Sequence, residues 1–368
     1  MSRTSTLFTP VSIGDISIKN RLVMAPMTRS RADDRHAPTA LHVLYYSQRA
    51  GAGLILTEGT APDPMGQGYL RVPGIYTADQ VDEWRKVTSA VHTQGAAIFL
   101  QLMHVGRVSH PSFLDGVEPI GPSAVAVSEG QIFTATGPQP FVTPRALESD
   151  EVDKVIATYG RASHLAAEAG FDGVELHATS GYLPAQFLLP TINQRTDRWG
   201  GSVEMRARFL LDVVDSMTVV RGPARVGVRI GPAFTFNDAH DPDPRATWGY
   251  VLPELARRGL GYLHLVNVPV DWDVLGFVRA HWRGILIANG GYDLARAEAD
   301  LTAGRADLVS FGKSFLANPD LPERLAAGAP LNAPDVKYFY AGDAKGYTDY
   351  PVVGDEPSVA MSGGPTLR

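Results

Sequence analysis

The chain has 368 residues, 44% of them hydrophobic and 20% charged, with a formal net charge of -6. That is enough apolar material for a large core, and the acidic balance without any Lys/Arg run argues against nucleic acid or anionic lipid as partners, leaving small-molecule chemistry as the default. There is no cysteine, which excludes disulfides, thiolate metal sites, iron–sulfur clusters and a cysteine nucleophile, so redox chemistry needs a bound cofactor and no metal is expected.

The first ten residues, MSRTSTLFTP, lack a basic segment followed by an apolar stretch, and no membrane-length apolar run follows, so a cytoplasmic protein is expected. Next, Val11, Ile13, Ile16 and Ile18 alternate with polar residues around Gly14-Asp15, predicting a hairpin that could plug a barrel's bottom. Short β-rich apolar runs then recur at 21–26, 53–59, 97–104, 173–178, 225–231, 262–267, 285–291 and 308–314. Between them lie segments of helical character at 79–95, 149–170, 202–221, 245–259 and 293–304, several opened by an Asp, Ser or Thr suited to N-capping. Strand-helix alternation implies a parallel sheet, and eight repeats imply an α/β fold of the (β/α)8 TIM-barrel type; a doubly wound open sheet is the alternative. The stretch from Gly106 to Glu148 after the third strand has no helical periodicity and is rich in Gly, Pro and Ser, as in a functional lid. Residues 1–352 are expected to form one barrel domain, and 353–368 a disordered tail.

In such barrels the chemistry sits at the C-terminal ends of the strands. Polar residues there are Thr28, Glu58, Gln101, His104, His177, Arg229, Asn267, Asn289 and Lys313. One polar residue ending a strand usually reflects solvation or capping, and nine around one ring weaken that reading. Asn289-Gly290-Gly291 and Gly312-Lys313 follow the last two strands, where barrels often bind phosphate; a Gly-Gly alone would more often be a tight turn. No G-x-G-x-x-G follows any strand, so a separate dinucleotide fold is absent and a hydride donor must share the mouth. In HATSGY, His177 and Ser180 could hold a carbonyl oxygen and Tyr182 could deliver a proton as a neutral acid, although a satisfied histidine and a packed tyrosine is the duller reading. Arg229 could be an internal ion-pair partner or the counter-charge of a ligand that becomes anionic.

These residues lie in NRLVMAPMTR (20–29), LTEGT (56–60), QLMHVGR (101–107), VELHATSGYLPAQFLLP (174–190), NQRTDRWGGSVEMRARF (193–209), VGVRIGP (226–232), FGKSFLANPDLPERL (311–325) and YFYAGDAKGYTDYP (338–351). Together, from Leu7 to Pro351, they resemble the Old Yellow Enzyme family of FMN-dependent ene-reductases. The resemblance implies FMN, with NADPH or NADH as reductant, and a small-molecule substrate carrying an activated alkene. By the same likeness, Pro26, Met27 and Thr28 would flank the flavin, Gly59 and Gln101 would meet its pyrimidine edge, and Arg229 would sit near N1 and O2 and stabilise the reduced ring. Its phosphate would rest on Gly290, Gly291, Gly312 and Lys313. His177 with Ser180 would clamp the substrate carbonyl, Tyr182 would protonate the α-carbon as N5 delivers hydride to the β-carbon, Tyr340 would line the substrate pocket, and Phe339 would approach the dimethylbenzene end.

Two positions depart from the family's pattern: Ser180 replaces the usual Asn or His, and Lys313 the usual Arg, keeping charge without the bidentate fork. The reading is of a monomer or homodimer reducing the C=C bond of α,β-unsaturated carbonyls. Alternatives are a flavin-dependent isomerase or desaturase using the same site, and a non-catalytic FMN- or phosphate-binding barrel.

Overall fold

The computed structural model describes residues 5–354, so the tail expected to be disordered lies, from residue 355 onward, outside the described residues. Eight parallel strands, one inside each predicted run, close on themselves: β1 (Leu22–Met24), β2 (Leu54–Leu56), β3 (Ala97–Leu102), β4 (Gly173–Ala178), β5 (Val226–Ile230), β6 (Tyr262–Val266), β7 (Leu286–Asn289) and β8 (Leu308–Phe311). The closure is made by β8 on β1, with Val309 opposite Leu22 and Phe311 opposite Met24, which removes the free edges of an open sheet.

The apolar runs are continuous because both faces of every strand are buried. Along them, alternate side chains go to two different cores. Leu22, Met24, Ile55, Ile98, Leu100 and Leu176 point to the layer under the helices, while Val23, Leu54, Leu56, Phe99, Ile287 and Leu308 fill the barrel's interior. Gly173 and Gly227 occupy interior positions because a Cβ there would lie 2.4 Å from the Phe99 ring and 2.2 Å from the Tyr262 ring. The N-terminal strands Val11–Ile13 and Ile16–Ile18 pair antiparallel around Gly14, whose φ is +58°, and Ile13 and Ile18 are buried in this interior cluster.

The helices follow the predicted spans closely: α2 (Ala78–Thr93), α3 (Ser149–Glu168), α5 (Val203–Thr218), α6 (Pro244–Ala256) and α8 (Leu294–Thr302), joined by α1 (Ala40–Gln48), α4 (Leu183–Leu188), α7 (Val274–His281), α9 (Lys313–Ala317) and α10 (Leu321–Ala327). The carboxylate of Asp243 accepts from the Ala246 N–H and that of Asp293 from Arg296, while the Thr77 hydroxyl accepts from Gln80, so three of the predicted helices carry the expected side-chain caps; Asp273, accepting from the Gly276 N–H, caps α7, which the sequence pattern did not show. The long segment after β3 is not featureless. It carries a hairpin, Ile132–Thr134 against Gly137–Gln139, and a short parallel pair, Ile120–Gly121 with Arg145–Ala146.

Candidate active site

Two residues further along each strand, the interior changes character. Above the apolar layer of Phe99, Tyr262, Ile287 and Leu308, the same face carries Gln101, His264, Asn289 and Ser310, and β4 and β5 add Glu175, His177 and Arg229. Strand register sets them side by side, with Gln101 opposite Glu175, His177 opposite Arg229, Arg229 opposite His264 and Asn289 opposite Ser310. All of them but His177 are joined in one hydrogen-bonded layer. The Gln101 amide donates to Glu175 at 2.7 Å, and the His264 ring lies 2.9 Å from Glu175 and 2.8 Å from the Ser310 hydroxyl. Arg229 donates to Asn289 at 3.1 Å and rests against the His264 ring. Burial pulls the Arg229 guanidinium down to about 10 and His264 down to about 4, Arg229 being the second cause for the latter. A desolvated cation facing the mouth is thus balanced, among the described residues, by the Glu175 carboxylate.

Past β4 the chain turns sharply. Ser180 and Gly181 are consecutive left-handed residues, φ +60° and +72°, and the bend returns Tyr182 against His177 with ring centroids 4.8 Å apart and planes perpendicular. His177 is 8% exposed; burial, then the positive charge of Arg229, hold its ring well below the usual histidine range, so it is neutral at physiological pH. Its Nδ1 is buried without a partner. Tyr182, also 8% exposed, is pushed well above the usual phenol range by burial and by Tyr69, whose hydroxyl is 3.0 Å from its own. Tyr340, though 67% exposed, lies near enough to raise both phenols.

Pro26, Met27 and Thr28 leave β1 half-buried at the same rim, and Gly59 is buried with Met103 Sδ filling the place of a Cβ. Gly291 has φ +66° with nothing within 4 Å of a Cβ built on it, and at Gly312 only Met27 Sδ comes so near, at 3.7 Å. Gly290 is held by close approach, since a Cβ would lie 1.9 Å from the Asn267 carbonyl oxygen. Lys313 is exposed and, among the described residues, makes no ion pair or side-chain hydrogen bond. An open glycine floor, an unpaired ammonium, a buried guanidinium and an orphaned imidazole nitrogen fit a planar ligand ending in a phosphate, as FMN does.

Two residues of the expected ring take no part. Glu58 is turned outward into a buried cluster, accepting from the Arg29 N–H and facing His42 and Tyr46, and His104 accepts from the Gly106 N–H. Polar contacts with Arg29, His42 and Tyr46 claim the first and a local turn the second. Conversely Glu175, His264 and Ser310 were hidden inside apolar runs, where their two-residue spacing from His177, Val266 and Leu308 was the available signal. Tyr69 sits in an irregular loop that offers none. The segments 233–244 and 267–283, both read from sequence as loops without a role though the second carries α7, wall a cavity of about 600 Å³ that Ser180 also lines, with Phe234, His240, Trp248 and Trp272. Among the described residues no helix is long and apolar enough to cross a membrane.

The model of the NADH:flavin oxidoreductase / NADH oxidase family matches residues 6–332. A probable flavin mononucleotide-dependent alkene reductase of Leishmania infantum is 43% identical over 93% of this chain and 96% of its own length. The 12-oxophytodienoate reductase 1 of Oryza sativa subsp. japonica is 41% identical over 94% of this chain and 92% of its own. Among solved structures, morphinone reductase superposes with a TM-score of 0.91 at 44% identity, covering 96% of this chain and 98% of that one. An old yellow enzyme homologue from Zymomonas mobilis reaches 0.92 at 37%, covering 94% and 99%.

Proposed function

Because the chain belongs to the NADH:flavin oxidoreductase / NADH oxidase family, that of Old Yellow Enzyme, we propose that its barrel mouth reduces an activated alkene held by His177 and protonated by Tyr182. The protein is an FMN-dependent oxidoreductase that uses NADPH or NADH to reduce the C=C bond of α,β-unsaturated carbonyl compounds. FMN, when bound, supplies the two-electron transfer between nicotinamide and the β-carbon of the alkene.

In this reading Gly290, Gly291, Gly312 and Lys313 hold the phosphate, Pro26, Met27, Thr28 and Gly59 bound the ring system, and Gln101 and Arg229 face its pyrimidine edge. The neutral His177 ring offers an N–H to the substrate carbonyl without bringing a charge to be neutralised. Tyr182, kept neutral because burial and the Tyr69 hydroxyl at 3.0 Å both disfavour its phenolate, gives the α-carbon its proton. Tyr340 closes the substrate side. The perpendicular His177–Tyr182 pair beside the buried Arg229 carries the proposal, since it sets a carbonyl clamp and a proton donor over one cationic floor. It also disfavours a non-catalytic carrier, which needs neither.

The test is purification of the yellow protein, release of its flavin, and NADPH oxidation with and without a cyclic enone. FMN release with enone-stimulated turnover is expected; release of FAD, or no stimulation, contradicts the proposal. Isomerisation or desaturation on the same groups keeps one observation in its favour, the cavity of about 600 Å³ beside Ser180, which suits a bulky substrate. Product analysis with and without oxygen separates it. A monomer or homodimer in the cytoplasm completes the proposal, and light scattering on a sizing column distinguishes the two assembly states.

A further inference from the structure

We propose that Glu175, which contacts no substrate, is the positioning residue that orients the flavin-facing groups of the barrel floor and holds down the affinity of the site for reduced FMN. The inference rests on the reading of the mouth as an FMN site.

Glu175 is fully buried and, among the described residues, forms no ion pair with an arginine or lysine. A buried carboxylate only accepts hydrogen bonds, so it dictates how its neighbours must turn. Its Oε1 lies 2.7 Å from Gln101 Nε2, which fixes the Gln101 amide with the NH2 toward Glu175 and leaves the carbonyl oxygen for the mouth. Its Oε2 lies 2.9 Å from His264 Nδ1, so that nitrogen carries the proton, and Nε2, 2.8 Å from Ser310 Oγ, accepts from the hydroxyl. The oriented ring is the surface against which Arg229 lies, its NH1 at 3.0 and 2.5 Å from the two ring nitrogens, while NH2 donates to Asn289.

One carboxylate therefore sets an acceptor at Gln101 and, through His264, a cationic donor at Arg229. The pyrimidine edge of a flavin presents N3–H as a donor beside O2 and N1 as acceptors, and only this orientation of the Gln101 amide meets N3–H with an oxygen. Glu175 also offsets the charge of Arg229, so it opposes the accumulation of negative charge on the ring when FMN is reduced.

Two nearly isosteric variants test this, each read by the FMN dissociation constant and by the midpoint potential from dye equilibration. In Glu175→Gln the buried negative charge is gone, and the preference of the site for reduced over oxidised FMN should rise by about tenfold or more, seen as a higher midpoint potential. In Glu175→Asp the charge remains but the shorter carboxylate no longer reaches Gln101, so the potential should stay near wild type while oxidised FMN binds about tenfold more weakly. A merely structural glutamate would not split the two readouts in this way. An unchanged or lowered potential in folded, FMN-bound Glu175→Gln overturns the inference, as does wild-type FMN affinity in Glu175→Asp. If Glu175→Gln does not fold, Glu175→Asp decides alone through its affinity and potential. Wild-type protein that binds no FMN overturns the flavin reading beneath it, and is told apart because the wild type is measured first.

Discussion

Tyr182 and Ser180 stand two residues apart in one turn, yet their substitutions should act on different parts of the reaction. Removing the Tyr182 hydroxyl leaves the barrel floor intact, and with it reduction of the bound cofactor by NADPH, while protonation of the α-carbon loses its donor. Tyr182→Phe should therefore slow alkene reduction on the order of 10²-fold or more, with the NADPH half-reaction close to wild type in stopped flow. Equal slowing of both halves would make Tyr182 structural. Ser180 holds a left-handed φ of +60°, a conformation asparagine tolerates well, so Ser180→Asn adds an amide without straining the turn. Its hydroxyl makes no hydrogen bond among the described residues, and a longer amide should reach a carbonyl that the hydroxyl does not. With half of a ~1–3 kcal/mol hydrogen bond recovered, kcat/KM for a small cyclic enone should rise by about 3- to 10-fold. A fall, or no change with the cofactor intact, would show that residue 180 does not face the carbonyl.

The segment that brings Tyr340 to the mouth is held by arginines rather than by a helix or strand. Arg31, fully buried, donates to the carbonyls of Arg29, Tyr338, Phe339, Ala341 and Lys345, and Arg29 adds bonds to Tyr338, Phe339 and Gly346. Only a planar fork with five N–H groups can serve so many oxygens. Arg31→Lys keeps the charge but should leave several buried carbonyls unsatisfied, at a cost of about 2–4 kcal/mol in unfolding free energy. Limited proteolysis should then cut first near residues 338–347, and KM for the enone should rise while NADPH half-reaction rates hold. A wild-type digestion pattern would show that the fork is not what fastens the segment. Neither the strap nor this role could be read from sequence, since MTRSR looks like an ordinary strand exit and the carbonyl acceptors are some 310 residues away. The barrel strands were legible for the opposite reason. Burial on both faces wrote each of them as an unbroken apolar run, whereas α4 and α7 run only six and eight residues, and α1, as long as α8, spreads its apolar residues around the helix instead of along one stripe. In the site, residues ending a run, such as His177 and Arg229, stood out, while Glu175 and His264 were camouflaged inside VELHA and YLHLV.

Taken whole, the molecule buries three histidines in neutral form, and this has a pH signature. His264 is held down to about 4 and His177 well below the usual range, in both cases first by burial; His104 is lowered by burial against the opposing pull of Asp63. In the unfolded chain each returns to about 6.5. Between the folded and unfolded values the unfolded state binds more protons, so stability must fall as pH falls through that window and is fully present above about 6.5. Each histidine contributes up to roughly 1.4 kcal/mol per pH unit, so His264 alone withdraws about 3 kcal/mol between pH 6.5 and 4. Asp197, held down to about 2 by Arg195, adds its own loss only below the usual carboxylate range, outside this window. Urea midpoints taken from pH 7.5 to 4.5 should therefore decline, with the steepening beginning near 6.5. His264→Asn should flatten the decline by its share, because asparagine takes up no proton on unfolding. A stability that stays level or rises from pH 7 to 5 would mean that these rings are already protonated in the fold, and the neutral His177 clamp would fall with them.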